Sequence, residues 1–282
     1  MTYGTIPSAA HSTSTATSAL TKSVTIYTLQ KLKKSGEKFV VISLYDAHMA
    51  NMAQRCGVEV VLVGDSLGMT VLGYDSTIPV TMEHMIYHVE AVARGNKKSL
   101  IMGDLPFMTY ATPEDALHNC ARIMQAGAHM VKLEGGAWLA ETIRMLSDRG
   151  VPVCAHIGLT PQSVNKFGGF RVQGRNQEQA DRLLADAELL EQSGADLLLM
   201  ECIPATLAAQ ITQAINIPTI GIGAGKDTDA QVLVINDILG LTEQPPKFSK
   251  NFLLESNDIP GAMQKYVAHV KAGIFPAEEN TF

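Results

Sequence analysis

Long apolar runs are missing from this sequence: no stretch reaches the roughly 18 residues that a membrane-spanning helix requires. Cysteines are few and scattered. Cys56, Cys120, Cys154 and Cys202 form no C-x-x-C pair, which argues against both a zinc site and a disulfide framework and fits thiols kept reduced in a cytoplasm. Positive charge is also in short supply, with 22 Lys and Arg against 28 Asp and Glu and a formal net charge of −6. Without a basic stripe, a nucleic-acid or anionic-membrane partner is disfavoured, although phosphate or carboxylate ligands can still bind locally. Residues 1–22 are rich in Ser, Thr and Ala but lack the apolar core of a secretory signal and the arginines of a mitochondrial presequence. They read as a disordered extension, which leaves 23–282 as a single domain.

What is present is a regular alternation. The 282 residues are 46% hydrophobic and 18% charged, enough for a sizeable core, and an α/β barrel takes about 250 residues. Apolar, β-rich runs at Phe39–Asp46, Val58–Asp65, Leu100–Leu105, His129–Glu134, Val151–Ile157, Asp196–Cys202, Pro218–Ile222 and Gln231–Asp237 are separated by helical patterns. These helical patterns cover Ala47–Cys56, Val80–Arg94, a segment opening at Thr112-Pro113-Glu114-Asp115, Trp138–Arg149, Glu178–Ser193, Ala205–Ile215 and Pro260–Lys271. The Thr112 opening has a cap, a proline at the first helical position and acids against the dipole. Nearly continuous apolar strands between helices mean a parallel sheet covered on its outer face. Eight repeats favour a closed (β/α)₈ TIM barrel over an open doubly wound sheet.

Polar residues collect where the expected strands end: Asp46, Asp65, Asp104, Glu134, His156 and Glu201. Barrel enzymes build their sites on that rim. Period-two alternation places Val61, Val63 and Asp65 on one face, and likewise Lys132 with Glu134 and Leu197, Leu199 with Glu201. A charge facing the dry layer under the helices would be costly, so these side chains are expected to converge on the open mouth. Bland alternatives stand beside each. Asp46 and Asp65 can cap helices or turns, Glu134 can anchor its Gly135-Gly136 loop, and His156 can be an ordinary interior histidine. Lys132 can either bind a substrate oxyanion or pair with a rim acid.

Carboxylates with room for water suit Mg²⁺ better than Zn²⁺. A carboxylate such as Glu201, after four apolar residues, needs either a partner or a raised pKa, the latter being what a general acid or base uses. Two long stretches, Ser66–Pro79 and Gly158–Arg175, lack a clear period and read as a lid or ligand clamp, the second one basic; a subunit contact is the alternative. Gly221-Ile222-Gly223-Ala224-Gly225 lacks the spacing of a dinucleotide loop and marks a tight strand exit or close backbone approach to a ligand.

Several unbroken motifs resemble those of the ketopantoate hydroxymethyltransferase family: Val63-Gly64-Asp65-Ser66-Leu67-Gly68-Met69, Asp75-Ser76-Thr77-Ile78-Pro79-Val80-Thr81, Asp104-Leu105-Pro106-Phe107-Met108, Met130-Val131-Lys132-Leu133-Glu134-Gly135-Gly136, the run His156 to Asn165, and Glu201-Cys202-Ile203-Pro204. The likeness runs from about Val24 to Phe282. It implies a barrel of the phosphoenolpyruvate-mutase/isocitrate-lyase type. The implied reaction moves a one-carbon unit from 5,10-methylenetetrahydrofolate to 3-methyl-2-oxobutanoate through a Mg²⁺-stabilised enolate, forming 2-dehydropantoate for pantothenate synthesis. By the same resemblance Asp65 and Asp104 are Mg²⁺ ligands, with Glu134 joining directly or through water. Asp65, Ser66, Asp104 and Lys132 hold the oxo acid, Glu201 is the base, and His156 stands near the site. A homo-oligomer, often a decamer, is implied too. The competing expectations are a lyase or mutase of the same superfamily acting on another 2-oxo acid, and a catalytically silent barrel that binds a ligand or serves as a scaffold.

Overall fold

A computed structural model describes residues 19–282. The extension expected over 1–22 falls mostly on residues 1–18, outside the described residues. From Ala19 onward the chain is tied down: Leu20 N donates to Gln54 O, and Lys98 Nζ donates to Leu20 O at 2.6 Å.

Eight parallel strands form a closed barrel in sequence order, the first pairing with the last. They are β1 (Phe39–Ser43), β2 (Val60–Val63), β3 (Leu100–Asp104), β4 (Met130–Glu134), β5 (Val153–Gly158), β6 (Leu197–Glu201), β7 (Thr219–Ile222) and β8 (Ala230–Val234). Helices lie between and around them: α1 (Ile26–Ser35), α2 (Ala47–Arg55), α3 (Leu67–Thr70), α4 (Met82–Gly95), α5 (Pro113–Gln125), α6 (Ala140–Ser147), α7 (Val164–Phe167), α8 (Gln177–Gln192), α9 (Ala205–Ala214), α10 (Ile235–Ile238) and α11 (Ile259–Lys271). The open-sheet alternative is thereby excluded. Every expected strand is present and each is shorter, some trimmed at the amino-terminal end, some at the carboxyl end and some at both. The second stops at Val63 rather than Asp65, and the last gives way to α10 after Val234.

Local chemistry sets the helix starts. Thr112 Oγ1 accepts from Asp115 N ahead of Pro113, Thr81 forms a reciprocal capping pair with His84, and Asn176 caps α8. The strands bury both faces in two cores. Val40, Ile42, Val61, Val63, Val131, Leu133, Leu198 and Met200 pack under the helices. Phe39, Val41, Val60, Leu62, Leu100, Met102, Met130, Cys154, Leu197 and Leu199 fill the barrel interior. The amino-terminal end of that interior is shut by α1, which the sequence pattern did not reveal. Its fully buried Leu29 joins the inner core, and Lys33 Nζ bonds Asp229 Oδ2 at 2.8 Å just before β8. The large cavity lies at the opposite end, at the carboxyl ends of the strands.

Candidate active site

The inward parity of each strand delivers polar groups to that open end. On β3, Leu100 and Met102 point inward, and Asp104 follows in the same phase. On β4, Met130, Lys132 and Glu134 share the inner face; on β5, Cys154 and His156; on β6, Leu197, Leu199 and Glu201. Lys132 sits opposite Asp104 on one neighbouring strand, and Glu134 sits opposite His156 on the other.

Two expectations need correction. Val61 and Val63 face the helices, so period-two phase would aim Asp65 outward. It reaches the interior because the strand ends at Val63 and the chain turns at Gly64, where an added Cβ would lie 2.9 Å from Ser66 Oγ and 3.4 Å from Asp104 Oδ2. Asp46 does not join the others. Its Oδ1 accepts from His48 N and Met49 N at 2.8 and 2.9 Å, so it is the cap of α2 and lies apart from the residues lining the mouth.

The remaining groups form one buried charge network. Lys132 Nζ lies 2.9 Å from Asp104 Oδ1 and 3.6 Å from Glu134 Oε1. His156 Nδ1 is 3.5 Å from Glu134 Oε1 and 3.4 Å from Lys132 Nζ, and its Nε2 is 3.5 Å from Glu201 Oε2. Asp104 Oδ2 accepts from the backbone N–H of Asp65 at 3.0 Å. Neither Asp104 Oδ1 nor His156 Nε2 receives or makes a hydrogen bond of good alignment, despite these close neighbours. Lys132 therefore does pair with rim acids, and those acids outnumber it.

The excess of negative charge shows in the protonation preferences. Burial, then the charges of Glu134 and Asp104, push the Asp65 carboxyl well above its usual range. Burial also raises Asp104, although Lys132 pulls the other way. Burial works against ionised Glu134 as well, but Lys132 and His156 outweigh it and bring that carboxyl down. Lys132 is held fully protonated by Asp104, Glu134 and Asp65 against the effect of burial. Burial and the nearby ammonium lower His156, keeping the ring neutral. Glu201 stands apart. It has no cation in direct contact, and burial followed by the charge of Glu134 raises it to about 8.

The network opens into a cavity of about 1120 Å³. Ser66 lines it, its Oγ 2.8 Å from Tyr45 Oη and 3.5 Å from Ser43 Oγ. Both aperiodic stretches reach its walls, the first through α3 (Met69, Thr70) and Thr77, the second through Phe170, Arg171 and Arg175. The glycine-rich run ends in a tight strand exit, with Gly223 and Gly225 at φ 59° and 76°. Two polar residues at the site were not singled out by sequence. Gln162, in a 3₁₀ turn over Pro161–Ser163, bonds Asp65, Glu134 and Tyr110. Gln162 does lie inside the motif after His156, but nothing in the pattern shows that it folds back into the barrel; Tyr110 carries no sequence signal at all.

The profile of the family described as ketopantoate hydroxymethyltransferase matches residues 23–278. A 3-methyl-2-oxobutanoate hydroxymethyltransferase from Saccharophagus degradans is 73% identical over 263 residues, covering 93% of this chain and 97% of that protein. The chain belongs to the ketopantoate hydroxymethyltransferase family. A second relative of the same description, from Marinobacter nauticus, is 58% identical over 260 residues and covers 92% of this chain and 98% of its own. Among solved structures, 2,3-dimethylmalate lyase, a PEP mutase/isocitrate lyase superfamily member, superposes with a TM-score of 0.56 at 14% identity, covering 74% of this chain and 80% of that one. That likeness concerns the fold alone and agrees with the closed eight-stranded barrel.

Proposed function

We propose that this chain transfers a hydroxymethyl group from 5,10-methylenetetrahydrofolate to 3-methyl-2-oxobutanoate, forming 2-dehydropantoate on the route to pantothenate. The observation that carries the reading is Glu201: a largely buried carboxylate, raised to about 8, at the edge of a cavity it shares with the buried acids Asp65, Asp104 and Glu134 and the buried Lys132. A cavity of about 1120 Å³ exceeds what a small oxo acid needs and leaves space for a one-carbon carrier.

The donor set fits a hard divalent cation. Asp65 and Asp104 are adjacent and buried, burial raises both carboxyls, and the one ammonium beside Asp104 is shared with Glu134. Among the described residues no cluster of three or more His, Cys, Asp or Glu has the geometry of a complete metal site. Two protein carboxylates with the rest of the shell from substrate and water is the arrangement Mg²⁺ accepts. Glu134 has one oxygen facing Lys132 and His156 and the other bonded by Gln162 N at 3.0 Å, so it acts through water and through charge rather than as a direct ligand. Mg²⁺, when bound, supplies electron withdrawal from the keto group and makes the neighbouring C–H acidic.

The protein's own groups do the rest. Glu201 removes the proton from the carbon beside the keto group; raised toward neutral pH, it is a stronger base than an ordinary carboxylate. The ammonium of Lys132 and the Ser66 hydroxyl hold the oxo acid's oxygens, and the neutral His156 ring separates Lys132 from Glu201, so that the base is not neutralised. In Asp104→Ala the affinity for Mg²⁺, measured by titration calorimetry, is expected to fall at least about tenfold; wild-type affinity would remove Asp104 from the ligand set. Product formation that depends on methylenetetrahydrofolate separates this reaction from a lyase or mutase on the same barrel.

The reading includes a homo-oligomer, with the decamer implied by family membership, for which Tyr27, Tyr87 and Leu254 offer exposed apolar surface. It also includes a cytoplasmic setting, which suits four buried free cysteines. No helix among the described residues is long and apolar enough to cross a membrane.

A further inference from the structure

The side chain of Gln162 is almost fully buried, and both its donors and its oxygen are hydrogen-bonded. Nε2 donates to Asp65 Oδ2 at 2.8 Å and to Leu105 O at 2.9 Å, while Oε1 accepts from Tyr110 Oη at 2.5 Å. The backbone N–H of the same residue holds Glu134 Oε2. Tyr110 is itself fixed, accepting from Glu134 N at 3.3 Å with its ring stacked on Trp138 at 6.0 Å between centroids. One residue after β5 thus joins the loops that follow β2 and β3 and the end of β4.

The orientation of this amide is forced. Reversed, its carbonyl would face the Asp65 carboxylate and the Leu105 carbonyl, and both of its donor bonds would be lost. A neutral donor also does what a cation could not. It ties Asp65 Oδ2 without cancelling the charge, and no hydrogen bond reaches Oδ1 among the described residues. A lysine or arginine in that place would pair with Asp65 and compete with any cation for it.

We propose that Gln162, locked by Tyr110, is a positioning residue that fixes the Asp65 carboxylate with one oxygen tied and the other free as a cation donor. The inference rests on the reading of Asp65 and Asp104 as the Mg²⁺ pair. Groups that orient ligands in this way are worth about 10–100-fold in metal affinity.

The test titrates Mg²⁺ alone into the full-length wild type, Gln162→Leu and Tyr110→Phe by calorimetry, with metal-free melting temperatures measured in parallel. Gln162→Leu is expected to weaken Mg²⁺ binding by at least about tenfold, and Tyr110→Phe, which removes the hydroxyl that holds the amide oxygen and also receives the Glu134 N–H, severalfold. A merely structural role would lower melting and leave the affinity of the folded protein unchanged. Affinities within twofold of wild type in both variants overturn the inference, and if Gln162→Leu does not fold, Tyr110→Phe decides alone. If the wild type binds no Mg²⁺, the metal reading itself fails, and this inference goes with it.

Discussion

Glu201→Gln is expected to slow exchange of solvent deuterium into 3-methyl-2-oxobutanoate by roughly 10²–10⁴-fold, the usual worth of a positioned general base. Binding of the oxo acid should stay within a fewfold of wild type, because Gln keeps the shape of a side chain that makes no ion pair with a lysine or arginine. Proton NMR of the C3 position in deuterated buffer reads the rate directly, and exchange at the wild-type rate would remove Glu201 from the role. The same assay has a predictable pH profile. Only the ionised carboxylate accepts a proton, and burial raises this one to about 8. Exchange should therefore climb about tenfold per pH unit below that value and level off above it. A profile already flat between pH 5 and 7 would mean that the base is an ordinary, solvated carboxylate.

The second large effect is on stability. Lys132→Met is expected to cost about 3–5 kcal/mol in metal-free protein near neutral pH, since breaking a buried ion pair leaves charge uncompensated. Lys132 and its partners Asp104 and Glu134 are all nearly solvent-free, so water cannot take over the role of the ammonium. The loss has a sign in pH. Asp65, Asp104 and Glu201 already have folded-state pKa values above their ordinary range. The folded protein therefore takes up protons before the unfolded chain does, and stability rises as pH falls from about 8 toward the usual carboxylate range. The deficit of Lys132→Met should shrink over that window. Urea denaturation at several pH values measures it, and a deficit below about 1 kcal/mol, the worth of an exposed pair, would show that the network is not the closed charge system described.

The two effects share a cause. Placing Asp65, Asp104 and Glu134 around one ammonium is unfavourable for the isolated fold and useful for holding a cation. Asp104→Ala should therefore pair its weaker Mg²⁺ binding with a smaller stability loss than Lys132→Met, because it removes an excess charge instead of the one that balances it.

Much of the site was legible because strand phase is simple. Asp104, Lys132, His156 and Glu201 each follow an apolar residue at a spacing of two, with Glu134 two beyond Lys132, and a charge at such a position has only the open mouth to face. Asp65 reaches the mouth by a route that strand phase does not predict, since its strand stops two residues earlier and a turn, not the pleat, aims the side chain. Asp46 looked the same in sequence, yet the N–H groups of His48 and Met49 bind its carboxylate. Whether an acid at a strand end caps the next helix or enters the barrel depends on loop geometry within a few residues, which periodicity does not encode. In the helix Ile26–Ser35 the apolar stripe is only Ile26, Leu29 and Leu32, a short signal on an otherwise largely polar segment.

The sequence by itself determined the barrel, the inner and outer faces of most strands, and the family, because period-two alternation and unbroken motifs are local properties of the chain. Only the tertiary structure decided that Lys132 faces more acids than it can neutralise, that Glu201 is kept out of that pairing, and that Gln162 and Tyr110 fold back to hold Asp65. Those are contacts between segments far apart along the chain, and their energies depend on distance and on the exclusion of water, quantities that exist only once the barrel has closed.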